Sequence, residues 1–209
     1  MLKKQTKKKQ AYYKIKALIA DQHFLDMYHI SENSLSNRLK MSRTPVREAL
    51  QQLEMEGFLK IVPNKGIVVS ETSVNEFRYI YDLRIAIEEF VIRELAGNLT
   101  SDQIKGLENI VERQGQCIQE GDAASYLSCD REFHEALFRF YENPMIIEYM
   151  SNLRDRLYSL NIKMLQSREN MRLFHEEHTQ IVKALKEKDV VNALRVMDIH
   201  LKGGKTRLM

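Results

Sequence analysis

An aspartate and three histidines stand where helical periodicity expects apolar core. Over about residues 123–141, Leu127, Asp130, His134, Leu137 and Tyr141 recur in steps of three and four, which turns Asp130 and His134 inward from successive turns. Over about 169–187 the inward stripe is Met171, Phe174, His178, Ile181 and Leu185. Over about 189–203 it is Ala193, Met197 and His200, flanked by Val196 and Leu201. A single inward histidine is ordinarily a hydrogen-bonded core residue. A buried carboxylate among neutral imidazoles, however, lacks a counter-charge. One divalent metal ion satisfies all four groups, and Asp130 and His134, one turn apart, can reach the same ion. Histidine and aspartate suit Zn, Ni, Mn and Fe alike. His175, in His175-Glu176-Glu177-His178, is the competing ligand, at the edge of its stripe.

Arg84 lies on a further apolar stripe, Phe77, Ile80, Tyr81, Arg84, Ile87 and Val91. An unpaired guanidinium there is costly. A bidentate carboxylate ligand would satisfy it, and so would a salt bridge to Glu88 or another acid. Arg154 and Arg156 are further cations that the sequence does not separate. No additional inward Glu, Ser or Lys is expected as a general base, which weighs against a metalloenzyme fused to another module. A regulator for which the ion itself is the signal is a further alternative.

A second kind of chemistry lies near the N-terminus, in Ser42-Arg43-Thr44-Pro45-Val46-Arg47-Glu48-Ala49-Leu50. Ser42 is placed to cap a helix, and Pro45 sits in the first turn, where a missing N–H costs little. Val46, Leu50 and Leu53 follow at core spacing. Arg43, Thr44 and Arg47 then project to solvent from the helix start, where a recognition helix meets the DNA major groove. A shorter helix precedes it, opened by Ser31, Asn33 and Ser34. After Gly57, Phe58–Val62 and Ile67–Val69 read as two strands joined by Pro63-Asn64-Lys65-Gly66.

Charge supports this division. Residues 1–70 hold 13 Lys and Arg against 6 Asp and Glu, and residues 71–209 hold 19 against 23, so +7 sits beside −4 within a net +3. A basic third on an acidic remainder suits a nucleic-acid-binding module attached to something else. Ser70–Ser73 is the expected boundary, with Ser73 and Glu76 as a capping box, giving domains 1–70 and 71–209. From there helices are expected to about Ala96, then over about 101–120, 123–141, 144–166, 169–187 and 189–203. The second domain is thus an antiparallel all-α bundle of about six helices, and the fold as a whole is mostly α. Lys3–Lys9 reads as a mobile basic arm, and a first helix is expected over about Gln10–Asp21, followed by a connection with His23 and His29. No run of about 18 apolar residues suggests a membrane span. MLKKQTKKKQ leads into no signal-peptide core. Cys117 and Cys129 suit free thiols in a reducing cytoplasm.

SRTPVREAL, LEMEGFL and VPNKGIVV resemble the winged helix-turn-helix of the GntR regulators, most closely the FadR-type branch. The later Asp-x3-His, HEEH and C-terminal His resemble that branch's effector domain, FCD. The resemblance runs from about Ala11 to Leu201. It implies a dimeric bacterial transcription factor binding double-stranded operator DNA; a repressor is expected, and the sequence does not separate repression from activation. Residues matching Arg43 and Arg47 contact bases, Ser42 and Thr44 contact phosphates, and the wing tip, Asn64, Lys65 and Gly66, enters the minor groove. Family members often carry Arg at the first-helix contact where this chain has Asn33. They also place a Gly-Pro-Gly-like turn where it has Gln22–Met27. The resemblance further implies Asp130, His134, His178 and His200 as ligands of a divalent metal, a small organic acid as effector, and Arg84 as its second anchor.

Overall fold

The computed structural model describes residues 6–20, 30–63, 65–70, 74–165 and 167–208, apart from the side chains of 20, 74, 155–165 and 208. The chain is mostly α, in two compact units, Met1–Thr72 and Ser73–Met209. The capping box expected at Ser73, the connection with His23 and His29, and Asn64 lie outside the described residues.

In the first unit, α1 (Lys7–Ala20) sets Ala11, Tyr12 and Ile15 against Val46, Ala49, Leu50 and Leu53 of α3 (Arg43–Met55). Lys7–Lys9 therefore form the first turn of a helix rather than a mobile arm, with the Thr6 hydroxyl accepting from the Lys9 amide at 3.3 Å. Three lysines at this end oppose the helix dipole. Buried apolar area on the inner face of α1 outweighs that effect. Between them, α2 (Glu32–Leu39) opens on a capping box of Ser31 and Ser34. Ser42 holds the N-cap position of α3 in extended conformation, yet its side chain makes no capping bond.

Gly57 leaves α3 with φ +81°, and β1 (Leu59–Val62) pairs antiparallel with β2 (Gly66–Val69), placing Ile61 opposite Ile67 and Val62 opposite Gly66. The hairpin is tied down where the Ile67 amide donates to the Ile30 carbonyl at 2.7 Å. A Cβ at Gly66 would lie 2.5 Å from that carbonyl oxygen, and Gly66 has φ +87°. Glycine is thus required here by both approach and conformation.

The second unit holds, among the described residues, six helices: α4 (Val74–Leu95), α5 (Ser101–Glu120), α6 (Ala123–Tyr141), α7 (Pro144–Leu165), α8 (Arg168–Lys186) and α9 (Val190–Leu208). Local caps set the starts. Thr100 and Gln103 form a capping box, and Asp122 and Ser167 accept from the Ser125 and Asn170 amides. α4 packs on α9 and α6, and α5 packs on α6 and α8, around Tyr81, Ile92, Leu107, Tyr126, Phe133 and Phe138. α9 continues five residues beyond the expected end at 203. Gly203-Gly204 looks like a helix stop in sequence. Gly204 instead lets α9 approach α4, since a Cβ there would meet the Tyr81 hydroxyl at 3.1 Å.

Candidate nucleic-acid interface and metal centre

The first unit presents its polar helix start as expected. Ser42, Arg43, Thr44 and Arg47 are exposed, while Pro45, Val46, Ala49 and Leu50 turn inward. Asn33 on α2 and Lys65 at the hairpin are exposed as well. Among the described residues Arg43 has no partner. Arg47 has one that the sequence did not single out. Its Nε and Nη2 donate to Glu32 Oε2 and Oε1, each at 2.9 Å. These hydrogen bonds, with the carboxylate charge beside them, raise the pKa of the guanidinium above its ordinary value.

In the second unit, α6, α8 and α9 bring Asp130, His134, His178 and His200 together. All four are buried, and one donor atom from each lies within 4.8 Å of the others. The stripes are buried as their spacing requires, with Tyr141 half covered.

Three further side chains, Glu88, Gln114 and Glu177, line up behind the histidines. Glu88 and Glu177 are both buried, inward carboxylates that the sequence did not single out as general bases. His134 Nδ1 lies 2.5 Å from Glu88 Oε2, His200 Nδ1 lies 2.9 Å from Glu177 Oε2, and His178 Nδ1 lies 3.0 Å from Gln114 Oε1. Each acceptor calls for a proton on Nδ1, so each Nε2 carries a lone pair. Those lone pairs face one another. His200 Nε2 is 3.2 Å from His134 Nε2 and 3.3 Å from His178 Nε2. Asp130 Oδ1 stands 4.0 Å and 3.9 Å from His134 Nε2 and His178 Nε2. Converging lone pairs repel, and a cation among them removes the repulsion. Two imidazole nitrogens bound tetrahedrally to one zinc at about 2.0–2.1 Å would lie about 3.3 Å apart, so the donor set fits a divalent ion. Glu88 and Glu177 act as hydrogen-bond acceptors behind the imidazoles, and neither is placed as a free base.

Burial pushes the His134 pKa down to about 4, against the opposing pull of Glu88, and drives His178 well below its ordinary value. These two imidazoles are thereby kept neutral, the state that binds metal. Phe133 stacks on His178 with ring centres 4.1 Å apart, which fixes the ring's plane.

Arg84 takes the salt-bridge alternative. Its Nε donates to Glu88 Oε1 at 2.8 Å, and its guanidinium lies 5.0 Å over the Tyr81 ring. Glu88 thus joins Arg84 to His134. Burial works against the Glu88 charge, but Arg84 and His134 outweigh it and hold the carboxyl well below the usual range. Arg84 also lines, with Tyr81, Asp130, His134, Phe174 and His200, a part-open recess of about 280 Å³, solvent included. Of the two arginines on α7, Arg154 is buried and donates to Asp130 Oδ2 at 3.3 Å, whereas the Arg156 side chain lies outside the described residues. His175 is not in the cluster. It packs over Gly115, where a Cβ would sit 3.4 Å from its Cε1.

The carboxylate at Glu177 was legible only as part of HEEH, Glu88 only as an alternative partner for Arg84, and Gln114 not at all. Glu88 follows Arg84 by one helical turn, which was the available signal.

A winged helix-turn-helix followed by an all-α bundle is the build of a DNA-binding transcription regulator with a separate regulatory domain. Residues 7–69 match bacterial regulatory proteins of the gntR family, and residues 79–203 match the FCD domain, so the chain belongs to the gntR family in the FadR-type branch that carries FCD. It is 32% identical over 166 residues to the Nta operon transcriptional regulator of Aminobacter aminovorans, covering 79% of this chain and 77% of that one. It is 28% identical over 176 residues to the gluconate operon transcriptional repressor of Bacillus subtilis (strain 168), covering 82% and 71%. The E. coli McbR/YncC structure superposes with TM-score 0.83 over 98% of each chain at 21% identity, which speaks to fold alone. These families and relatives are transcriptional regulators, not enzymes. Among the described residues, no helix is long and apolar enough to cross a membrane.

Proposed function

We propose that this regulator is a cytoplasmic repressor that releases operator DNA when a small organic acid binds beside a divalent metal in the C-terminal bundle. The observation that carries this reading is the convergence of three imidazole lone pairs, with every Nδ1 engaged behind them. Asp130, His134, His178 and His200 would hold the ion. Bound there, such an ion would supply a Lewis-acidic centre for a carboxylate oxygen. Arg84, paired through Nε to Glu88, lines the same recess and would be the second anchor of the acid. The name of the Bacillus relative supports repression. Free Cys117 and Cys129 suit a reducing compartment.

The DNA-binding side of the proposal assigns base contacts to Arg43 and Arg47 and phosphate contacts to Ser42 and Thr44, with Asn33 nearby. The uncommitted Ser42 hydroxyl supports its part. Lys65 and Gly66, with Asn64, would form the minor-groove tip. The functional unit would be a homodimer, since one recognition helix reads only a few base pairs. On α4, Tyr79, Leu83 and Phe90 are exposed on one side of the helix, an apolar stripe suited to a second copy.

Metal per chain by plasma emission tests the centre. His178→Ala should lose most of the metal and its melting temperature should fall, while His175→Ala keeps both. Full occupancy in His178→Ala would remove that residue from the ligand set. Light scattering near the monomer mass of 24.6 kDa at micromolar protein would rule out the dimer.

A further inference from the structure

We infer that Glu32 is a positioning residue for base recognition, aiming the Arg47 guanidinium at a guanine. The inference rests on the proposed base contact by Arg47. Glu32 is the first residue of α2, and Arg47 lies in the second turn of α3. Their two hydrogen bonds, each 2.9 Å, run from Nε and Nη2 to the two carboxylate oxygens. That occupies one edge of the guanidinium. A guanidinium has five N–H groups in a fixed plane. With the Nε edge taken, the end edge remains, one N–H from each terminal nitrogen, directed away from Glu32. This parallel donor pair matches the O6 and N7 acceptors that guanine alone offers in the major groove.

Two further features support a readout role. The Arg47 side chain is 60% exposed, so the free edge is open to a ligand. Arg43, on the same face of α3, has no such partner among the described residues. An exposed ion pair adds little to stability on its own. Its benefit is orientation: the long side chain is already ordered before DNA arrives, which reduces the entropy lost on binding. The Glu32 carboxylate also disfavours a phosphate near Arg47, leaving the base edge as the favoured partner.

Full-length protein would first select its preferred duplex from a randomised pool, followed by affinity measurements on duplexes with each G·C pair replaced in turn. Arg47→Ala should abolish discrimination at one guanine. Glu32→Ala should lower discrimination at that same guanine roughly tenfold, leave the other positions unchanged, and strengthen binding to unrelated duplex. In an Arg47→Ala background, Glu32→Ala should add no further loss. Glu32→Gln, which keeps one acceptor, should fall between. Tighter binding of Glu32→Ala to the selected duplex with discrimination intact would show that Glu32 sequesters Arg47, and would overturn the inference. So would a loss spread evenly over all positions, or one that persists without Arg47. Unchanged discrimination in Arg47→Ala would instead remove the base contact itself.

Discussion

Glu88 Oε2 lies 2.5 Å from His134 Nδ1, while the other oxygen of the same carboxylate takes the Arg84 Nε hydrogen bond at 2.8 Å. One buried side chain therefore sets the tautomer of a candidate metal ligand and neutralises a buried cation at the recess rim.

Glu88→Gln should expose that double role. An amide cannot balance Arg84, and breaking a buried ion pair by altering one partner costs about 3–5 kcal/mol. It would also weaken the acceptor behind His134, lowering metal affinity about 10–100-fold. Chemical denaturation and metal titration on the variant check the two effects separately. Unchanged metal affinity in a folded variant would detach Glu88 from the centre.

Acid should destabilise the metal-free second unit in a defined window. Burial lowers the folded-state pKa of His134 to about 4, against an unfolded value near 6.5. Between these values the unfolded chain binds the proton and the folded chain does not. Stability is therefore full above about pH 6.5 and lost as pH falls through about 4, by about 3 kcal/mol for this group. Glu88, held low by Arg84 and His134, adds a loss of the same sign below the ordinary carboxylate range. Urea denaturation in chelator at several pH values between 7.5 and 4.5 measures it; a flat profile would contradict a neutral buried His134.

Arg43→Ala and Arg47→Ala should each weaken selected-site binding by about 1–3 kcal/mol while preserving the fold, as read by gel shift and circular dichroism. Lys65→Ala should act on all sequences alike and reduce the salt slope by about one. Wild-type binding by both arginine variants would displace α3 from the recognition role.

Gly66→Ala should destabilise the hairpin, because φ +87° disfavours a side chain and the Ile30 carbonyl lies 2.5 Å from the new Cβ. The penalty should be about 1–3 kcal/mol. Thermal melting and the salt dependence of DNA binding measure it; an unaltered melt would mean the wing accommodates a side chain at that turn.

Much of this protein was determined by sequence alone because its signals are local and periodic. Steps of three and four along α6, α8 and α9 placed Asp130, His134, His178 and His200 inward. The Ser42–Leu50 run likewise separated an apolar face from an arginine face, since burial follows helical phase when one side must leave water. Tertiary structure decided what depends on elements distant in the chain. It put Arg154, 24 residues further on, against Asp130 as its cation. It set Glu88, Gln114 and Glu177 behind the imidazoles, from three different helices. It carried α9 through Gly203-Gly204, with Gly204 packed closely on Tyr81, where a Cβ would meet the hydroxyl at 3.1 Å. Helical phase tells which way a side chain points; which atom it meets depends on how separate helices pack, and that distance is not written in any local stretch of sequence.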